Sequence, residues 1–222
     1  AILIGSEVYR KSQFGGKHPL SIPRVSAVLD LVRALGICDK EEYKTGPCAK
    51  PELLKSFHTA DYIAVLKKTE VSQKISEKDA KTYNIGSLSN PVFPEMFKRP
   101  ATSVGSSLLA ADLVANGGRA YSLGGGLHHG MTGYANGFCF LNDLAFAINR
   151  LRDLGVQRIA YIDLDAHHCD GVAAAFPEDE NLFVVSTHER KRWPFTGGLD
   201  ENIPDRFLNV PLPSQCNDTE FM

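Results

Sequence analysis

Four of the seven histidines in this sequence stand as two tandem pairs, His128-His129 and His167-His168. The second pair lies in an acidic segment in which Asp163, Asp165 and Asp170 fall within the same eight residues. Side chains of an extended chain alternate between faces, so Asp163, Asp165 and His167 would project together if extension continued. Carboxylate and imidazole donors in one place suit zinc, manganese or iron(II). Three carboxylates at close range repel unless a cation neutralises them. The first pair follows the three glycines at 124–126. Imidazole is the usual general base near neutral pH, and a carboxylate on its second nitrogen fixes tautomer and basicity. Once Asp165 is given to a metal, Asp163 and Asp170 are left to make two such dyads with His128 and His129.

These groups need a frame. Residues 158–164 (RIAYIDL) form an almost unbroken apolar run, expected of a strand in the middle of a parallel sheet covered on both faces. Residues 1–5, 119–123, 181–187 and 207–212 read as further strands. Helices are expected from Ser21 as cap to Gly36, over 51–57, 59–69, 101–116 and 170–176, and from Asn142 as cap to Leu154. Residues 70–94 are polar and turn-rich and read as a long surface loop. Strands alternating with helices predict an α/β fold with a mainly parallel sheet. Both histidine pairs then fall where a strand gives way to a loop, the side of such sheets that binds ligands. Residues 217–222 begin like a capped helix, which suggests that 1–222 is a single domain broken off at its C-terminal side.

Composition narrows the classes. The 222 residues are 43% hydrophobic and 23% charged, with a formal net charge of -2. That is ordinary for a globular protein and argues against direct nucleic-acid binding. The neutral stretch 120–142 carries six glycines and two histidines, so it is no membrane helix. Five scattered cysteines without a C-x-x-C suggest free thiols in a reducing compartment, hence the cytoplasm, with the nucleus as well in a eukaryotic cell.

Together, G-G-G-x-H-H at 124–129, G-F-C-x-x-N-D at 137–143 and D-x-D-x-H-H-x-D-G at 163–171 resemble the zinc-dependent histone deacetylase family. That family also holds acetoin-utilisation proteins and acetylpolyamine amidohydrolases. The resemblance extends from His18-Pro19 through His58-x-x-x-Tyr62 to Val210-Pro211-Leu212. It implies the three-layer arginase–deacetylase α/β fold and removal of an acetyl or other acyl group from an amine, such as acetyl-lysine or an acetylpolyamine. It further implies Asp165 and His167 as ligands of Zn2+ or Fe2+, His129 as general base and acid, and His128 as its electrostatic partner. Asp163 would pair with His128 and Asp170 with His129. Gly137, Phe138 and Trp193 would line the acyl channel. K+ or Na+ would sit near Asp163, Asp165, His167, Ser186 and Thr187.

The sequence departs from the family pattern in three places. Cys169 stands where a glycine is usual. Asn90 is the position nearest to the loop aspartate with which many members hold a substrate backbone. The third metal ligand, an aspartate, and the oxyanion-stabilising tyrosine are expected beyond Met222, so the 222-residue chain by itself is expected to be an inactive part of a zinc-dependent deacetylase. Two rival readings follow. One is a catalytically inactive, truncated binding module. The other is an arginase-like ureohydrolase with two manganese ions, whose Gly-Gly-Asp-His segment does not match residues 124–129. Oligomeric state is not encoded in any of these features.

Overall fold

The computed structural model describes residues 1–10 and 18–221. The chain divides into two compact units, Ala1–Leu154 and Gly155–Met222.

The first unit is built on a parallel three-stranded sheet. Its strands are β1 (Ile2–Gly5), β2 (Tyr43–Thr45) and β3 (Ala120–Ser122), in the order β2-β1-β3. Leu3 is in register with Tyr43 on one side and Tyr121 on the other. Its helices are α1 (Arg24–Ala34), α2 (Pro51–Leu54), α3 (Ala60–Ser72), α4 (Glu77–Tyr83), α5 (Lys98–Val114) and α6 (Asp143–Asp153). Leu54, Tyr62, Ile63, Leu66, Val104, Leu141 and Phe146 make the core. Each such side chain contributes about 1.5–3 kcal/mol by leaving water. Helix α5 is rich in small residues because the chain at 46–49 lies directly on it. A Cβ on Gly105 would come within 2.0 Å of the Pro47 carbonyl oxygen. Helix α5 has no cap of its own, and Glu70 from α3 supplies one by accepting from the Phe97 and Lys98 N–H groups at 3.0 and 2.9 Å.

Two expectations fail in this unit. Ser21 does not cap α1. It belongs to a separate short turn, Pro19–Ser21, closed by its own N–H on the His18 carbonyl, and α1 starts after Pro23 without a side-chain cap. Nor is 70–94 a surface loop. Helix α3 runs on to Ser72, and α4 follows with Ser76 accepting from the Asp79 N–H. Ile85, Asn90 and Phe93 are buried. The turn residues around them outweigh three inward-facing side chains in the sequence, but packing does not average in that way.

The second unit holds a parallel sheet of β4 (Ile159–Asp163), β5 (Leu182–Glu189) and β6 (Phe207–Leu212), in the order β4-β5-β6, with helices α7 (Asp170–Ala175) and α8 (Asp218–Phe221). Alternate residues Leu182, Val184, Ser186 and His188 of β5 are buried. Among the described residues β4 pairs with β5, and Ile162 is 63% exposed. Asn217 caps α8, accepting from the Thr219 and Glu220 N–H groups.

Candidate active site

Strand β3 delivers the chain into the glycine turn and the first histidine pair. His128 and His129 are buried, 7% and 4% exposed, with ring centroids 3.9 Å apart. The glycines preceding them have separate reasons. A Cβ on Gly124 would strike the Tyr9 ring at 2.2 Å, and one on Gly125 would meet Asp143 Oδ2 at 2.6 Å. Gly126 has φ +92, a conformation open to glycine. Asp143 is completely buried. Its carboxylate accepts from the Leu127 N–H at 2.7 Å, the Gly126 N–H at 3.2 Å and the Ser107 hydroxyl at 2.5 Å. Burial pushes the Asp143 pKa up, and these donors oppose the shift.

The far side of the pair is also held. Asn142 Nδ2 donates to the Gly130 carbonyl at 3.0 Å while its Oδ1 accepts from the Ala145 N–H, as a helix cap should. His58 is buried, with Nδ1 3.1 and 3.2 Å from the Met131 and Thr132 carbonyls and Nε2 3.2 Å from the Asn142 backbone nitrogen. Carbonyls only accept and a backbone N–H only donates, so Nδ1 carries the proton and Nε2 accepts. Burial lowers the His58 pKa to about 4, so it is a neutral brace.

Phe138 has φ +71, and its N–H donates to Asn90 Oδ1 at 3.0 Å. Asn90 also donates to the carbonyls of Asn84 and Ala135. It is fully buried, so its amide braces the Phe138 segment and does not face solvent. The His18 ring meets Phe138 edge-on with centroids 4.5 Å apart. A cavity of about 290 Å³ is lined by Phe138, Gly124, Gly125, Leu127, Tyr9, Arg24 and Arg99, among others. The Arg99 guanidinium lies 5.1 Å from the Tyr9 ring centroid.

The acidic segment belongs to the second unit. β4 ends at Asp163, so Asp163, Asp165 and His167 do not continue one extended line. A bend replaces it: Asp165 Oδ1 accepts from the His167 N–H at 2.8 Å, an Asx turn, and also lies 2.8 Å from His167 Nδ1. These side chains are accessible, 52% exposed for Asp165 and 35% for His167. Asp163 is buried, accepting from the Tyr161 hydroxyl and the Asp165 N–H. Ser186 is its register partner on β5, and the Thr187 hydroxyl donates to the Asp163 carbonyl at 3.3 Å. Asp170 opens α7 and accepts from the Gly171 N–H. Cys169 is buried, which pushes its thiol up to about 12 and leaves it inert.

A second brace supports Trp193. His168 Nδ1 lies 2.8 Å from the Thr196 hydroxyl. His188 Nε2 donates to the Gly197 carbonyl at 2.9 Å, and its Nδ1 accepts from Ser186 at 3.0 Å. Gly197, at φ +81, fits only without a side chain, since a Cβ would lie 2.6 Å from His168 and 2.7 Å from His188. The Trp193 ring, on the segment so held, stands edge-on to His167 with centroids 6.0 Å apart.

The donor chemistry of Asp165 and His167 fits a divalent ion as part of a ligand set. One carboxylate oxygen and one imidazole nitrogen already converge, and a cation would replace the shared proton. Among the described residues, no group of three His, Cys, Asp or Glu side chains is arranged to hold a metal. Sequence reasoning gave Asn142 only a capping role and missed Asp143 and His58, although the G-F-C-x-x-N-D motif contains the first two.

The first unit thus presents a buried imidazole pair on a glycine turn, and the second a carboxylate–imidazole donor pair beyond a strand end. Comparison with known proteins gives the family. Residues 18–222 match the histone deacetylase domain, and the chain belongs to that family. It is 35% identical to the acetoin utilization protein AcuC of Bacillus subtilis (strain 168) and 33% to that of Staphylococcus aureus (strain MSSA476), over 100% and 95% of its length. A crystal structure of an HDAC homologue complexed with SAHA matches with a TM-score of 0.94 at 41% identity, covering 100% of this chain and 61% of that one. The HDAC homologue from Aquifex aeolicus matches at 0.93 and 40%, covering 99% and 61%. The fold is the α/β fold of those homologues. The chain spans 59% and 56% of the length of the two acetoin utilization proteins.

Proposed function

We propose that this chain carries the proton-handling residues and part of the metal site of a metal-dependent deacetylase, which removes acetyl groups from amines such as acetyl-lysine or an acetylpolyamine. The observation that carries the reading is the Asp165–His167 donor pair, which lies within the residues that match the histone deacetylase domain. Zinc or iron(II) held by these two residues and a further ligand would supply Lewis acidity toward the amide carbonyl. His129 takes the proton of the attacking water and returns one to the leaving amine, and His128 tempers its charge. Asp163 and Asp170 are assigned as the carboxylates that set the basicity of the pair. Asp163, Asp165, His167, Ser186 and Thr187 are assigned to K+ or Na+.

Gly137, Phe138 and Trp193 are assigned to the acyl channel. Amide hydrolysis also releases a carboxylate, and the cavity bearing Arg24 and Arg99 has the charge to receive one. We assign both units to one catalytic domain. All five cysteines are free, in keeping with work in the cytoplasm. Among the described residues, no helix is long and apolar enough to cross a membrane.

The test is Asp170→Asn in a protein that also carries the third ligand and the tyrosine, assayed on an acetyl-lysine peptide with zinc content measured in parallel. Turnover should fall about 10–100-fold with zinc retained. Unchanged turnover removes Asp170 from the mechanism, and an unaltered protein with both groups that is inert toward every acylated amine in the presence of zinc, iron(II) and K+ removes the function.

A further inference from the structure

The histidine turn is gripped from both shoulders by two consecutive residues. We propose that Asn142 and Asp143 are positioning residues that fix the His128–His129 pair by holding the backbone on either side of it. The proposal rests on the deacetylase reading for its kinetic consequence, but its geometry stands alone.

Asp143 takes the N–H groups of Gly126 and Leu127, the two residues before His128. Asn142 takes the carbonyl of Gly130, the residue after His129. Both side chains are fully buried, and both stand at the N-terminus of α6, whose orphan N–H groups Asn142 also caps. Helix α6 packs on α5, which contributes Ser107 to the same carboxylate. The loop is thereby referred to two long helices and cannot drift with its own backbone. A fully buried carboxylate needs several donors to be tolerated. Asp143 has one hydroxyl and two loop N–H groups, so the loop cannot leave without stranding it.

Two details show that the turn is shaped around the start of α6 and the residues just before it. Gly125 has no side chain where a Cβ would lie 2.6 Å from Asp143 Oδ2. Gly130 is confined in the same way, since a Cβ there would lie 2.4 Å from the Leu141 carbonyl oxygen, directly before Asn142. The glycines of one motif and the Asn-Asp of the next are complementary surfaces of one joint.

The residues act through His128 and His129, so the test must separate positioning from simple stability. In the zinc-loaded protein, Asp143→Asn keeps shape but turns an NH₂ group toward loop donors. We expect kcat to fall about 10²-fold through misplacement of the pair, with KM and zinc stoichiometry nearly unchanged. The imidazole NMR resonances of His128 and His129 should broaden or split, and those of His188 should not. If Asp143→Asn fails to fold, Gly125→Ala carries the test, because it leaves the carboxylate intact and displaces the loop; the same kinetic and spectral changes are expected. A folded variant with near-wild-type kcat, or with lowered kcat and undisturbed His128 and His129 resonances, overturns the proposal. If a protein that also carries the third ligand and the tyrosine deacetylates nothing, the functional reading fails, and the NMR comparison alone decides whether Asp143 positions the pair.

Discussion

The two histidine-bearing segments are built to opposite specifications. His128 and His129 are enclosed, and the turn before and after them is tied to Asp143, Asn142, Ser107 and His58. Asp165 and His167 are more accessible, and Asp165 Oδ1 meets both the N–H and the ring Nδ1 of His167 in one Asx turn. On the proposed function the difference suits the two roles. A group that passes protons works within a few tenths of an ångström and benefits from a dry, rigid seat. A ligand pair would have to admit an ion, and the ion would supply the rigidity on arrival.

The sharpest way to break this comparison is to remove one member of each half. His129→Ala should lower turnover about 10²–10⁴-fold while zinc stays bound. Asp165→Ala should lose the zinc itself, read by metal analysis after dialysis. Zinc lost from the first variant and kept by the second would reverse the division of labour.

A second test asks whether the enclosed half is held by a neutral imidazole. His58 has its pKa lowered from 6.5 to about 4 in the folded state. The unfolded chain therefore binds more protons between those values, and stability rises with pH across that window. The contribution is complete above about pH 6.5 and is lost as pH falls toward 4. Its full size is roughly 3 kcal/mol. Urea unfolding at several pH values should show this slope in the wild type and a shallower one in His58→Gln. Equal slopes would mean that His58 is protonated in place.

The smallest expected effect lies in the open half. Gly197→Ala puts a methyl against His168 and His188 at φ +81, and should cost about 1–2 kcal/mol of stability. The Trp193 segment should loosen with it, read as faster amide exchange over 190–198. Unaltered exchange would detach Trp193 from that brace.

Much of this was legible in the sequence, for a physical reason. Metal and proton chemistry uses few residue types, so tandem histidines amid aspartates stand out whatever the fold. The parallel α/β pattern was legible because buried strands must be apolar along their length. What escaped depends on burial. Asp143 and Ser107 are polar residues whose partners lie 16 to 36 positions away, and no local spacing announces them. Residues 70–94 look like solvent-facing turns because Ile85, Asn90 and Phe93 are buried singly, without period.

The hydrogen bond between Asn90 and the Phe138 N–H has a consequence for how this sequence can change. A phenylalanine at φ +71 is tolerated because Asn90 holds its backbone from a distance of 48 positions. Exchange of Asn90 alone would leave Phe138 strained and take one partner from each of the Phe138 N–H and the Asn84 and Ala135 carbonyls. Glycine at 138 would relieve the strain but delete the ring. Each residue is thus a precondition for the other, so a lineage that altered this wall of the cavity would have to carry both substitutions or pass through a damaged intermediate.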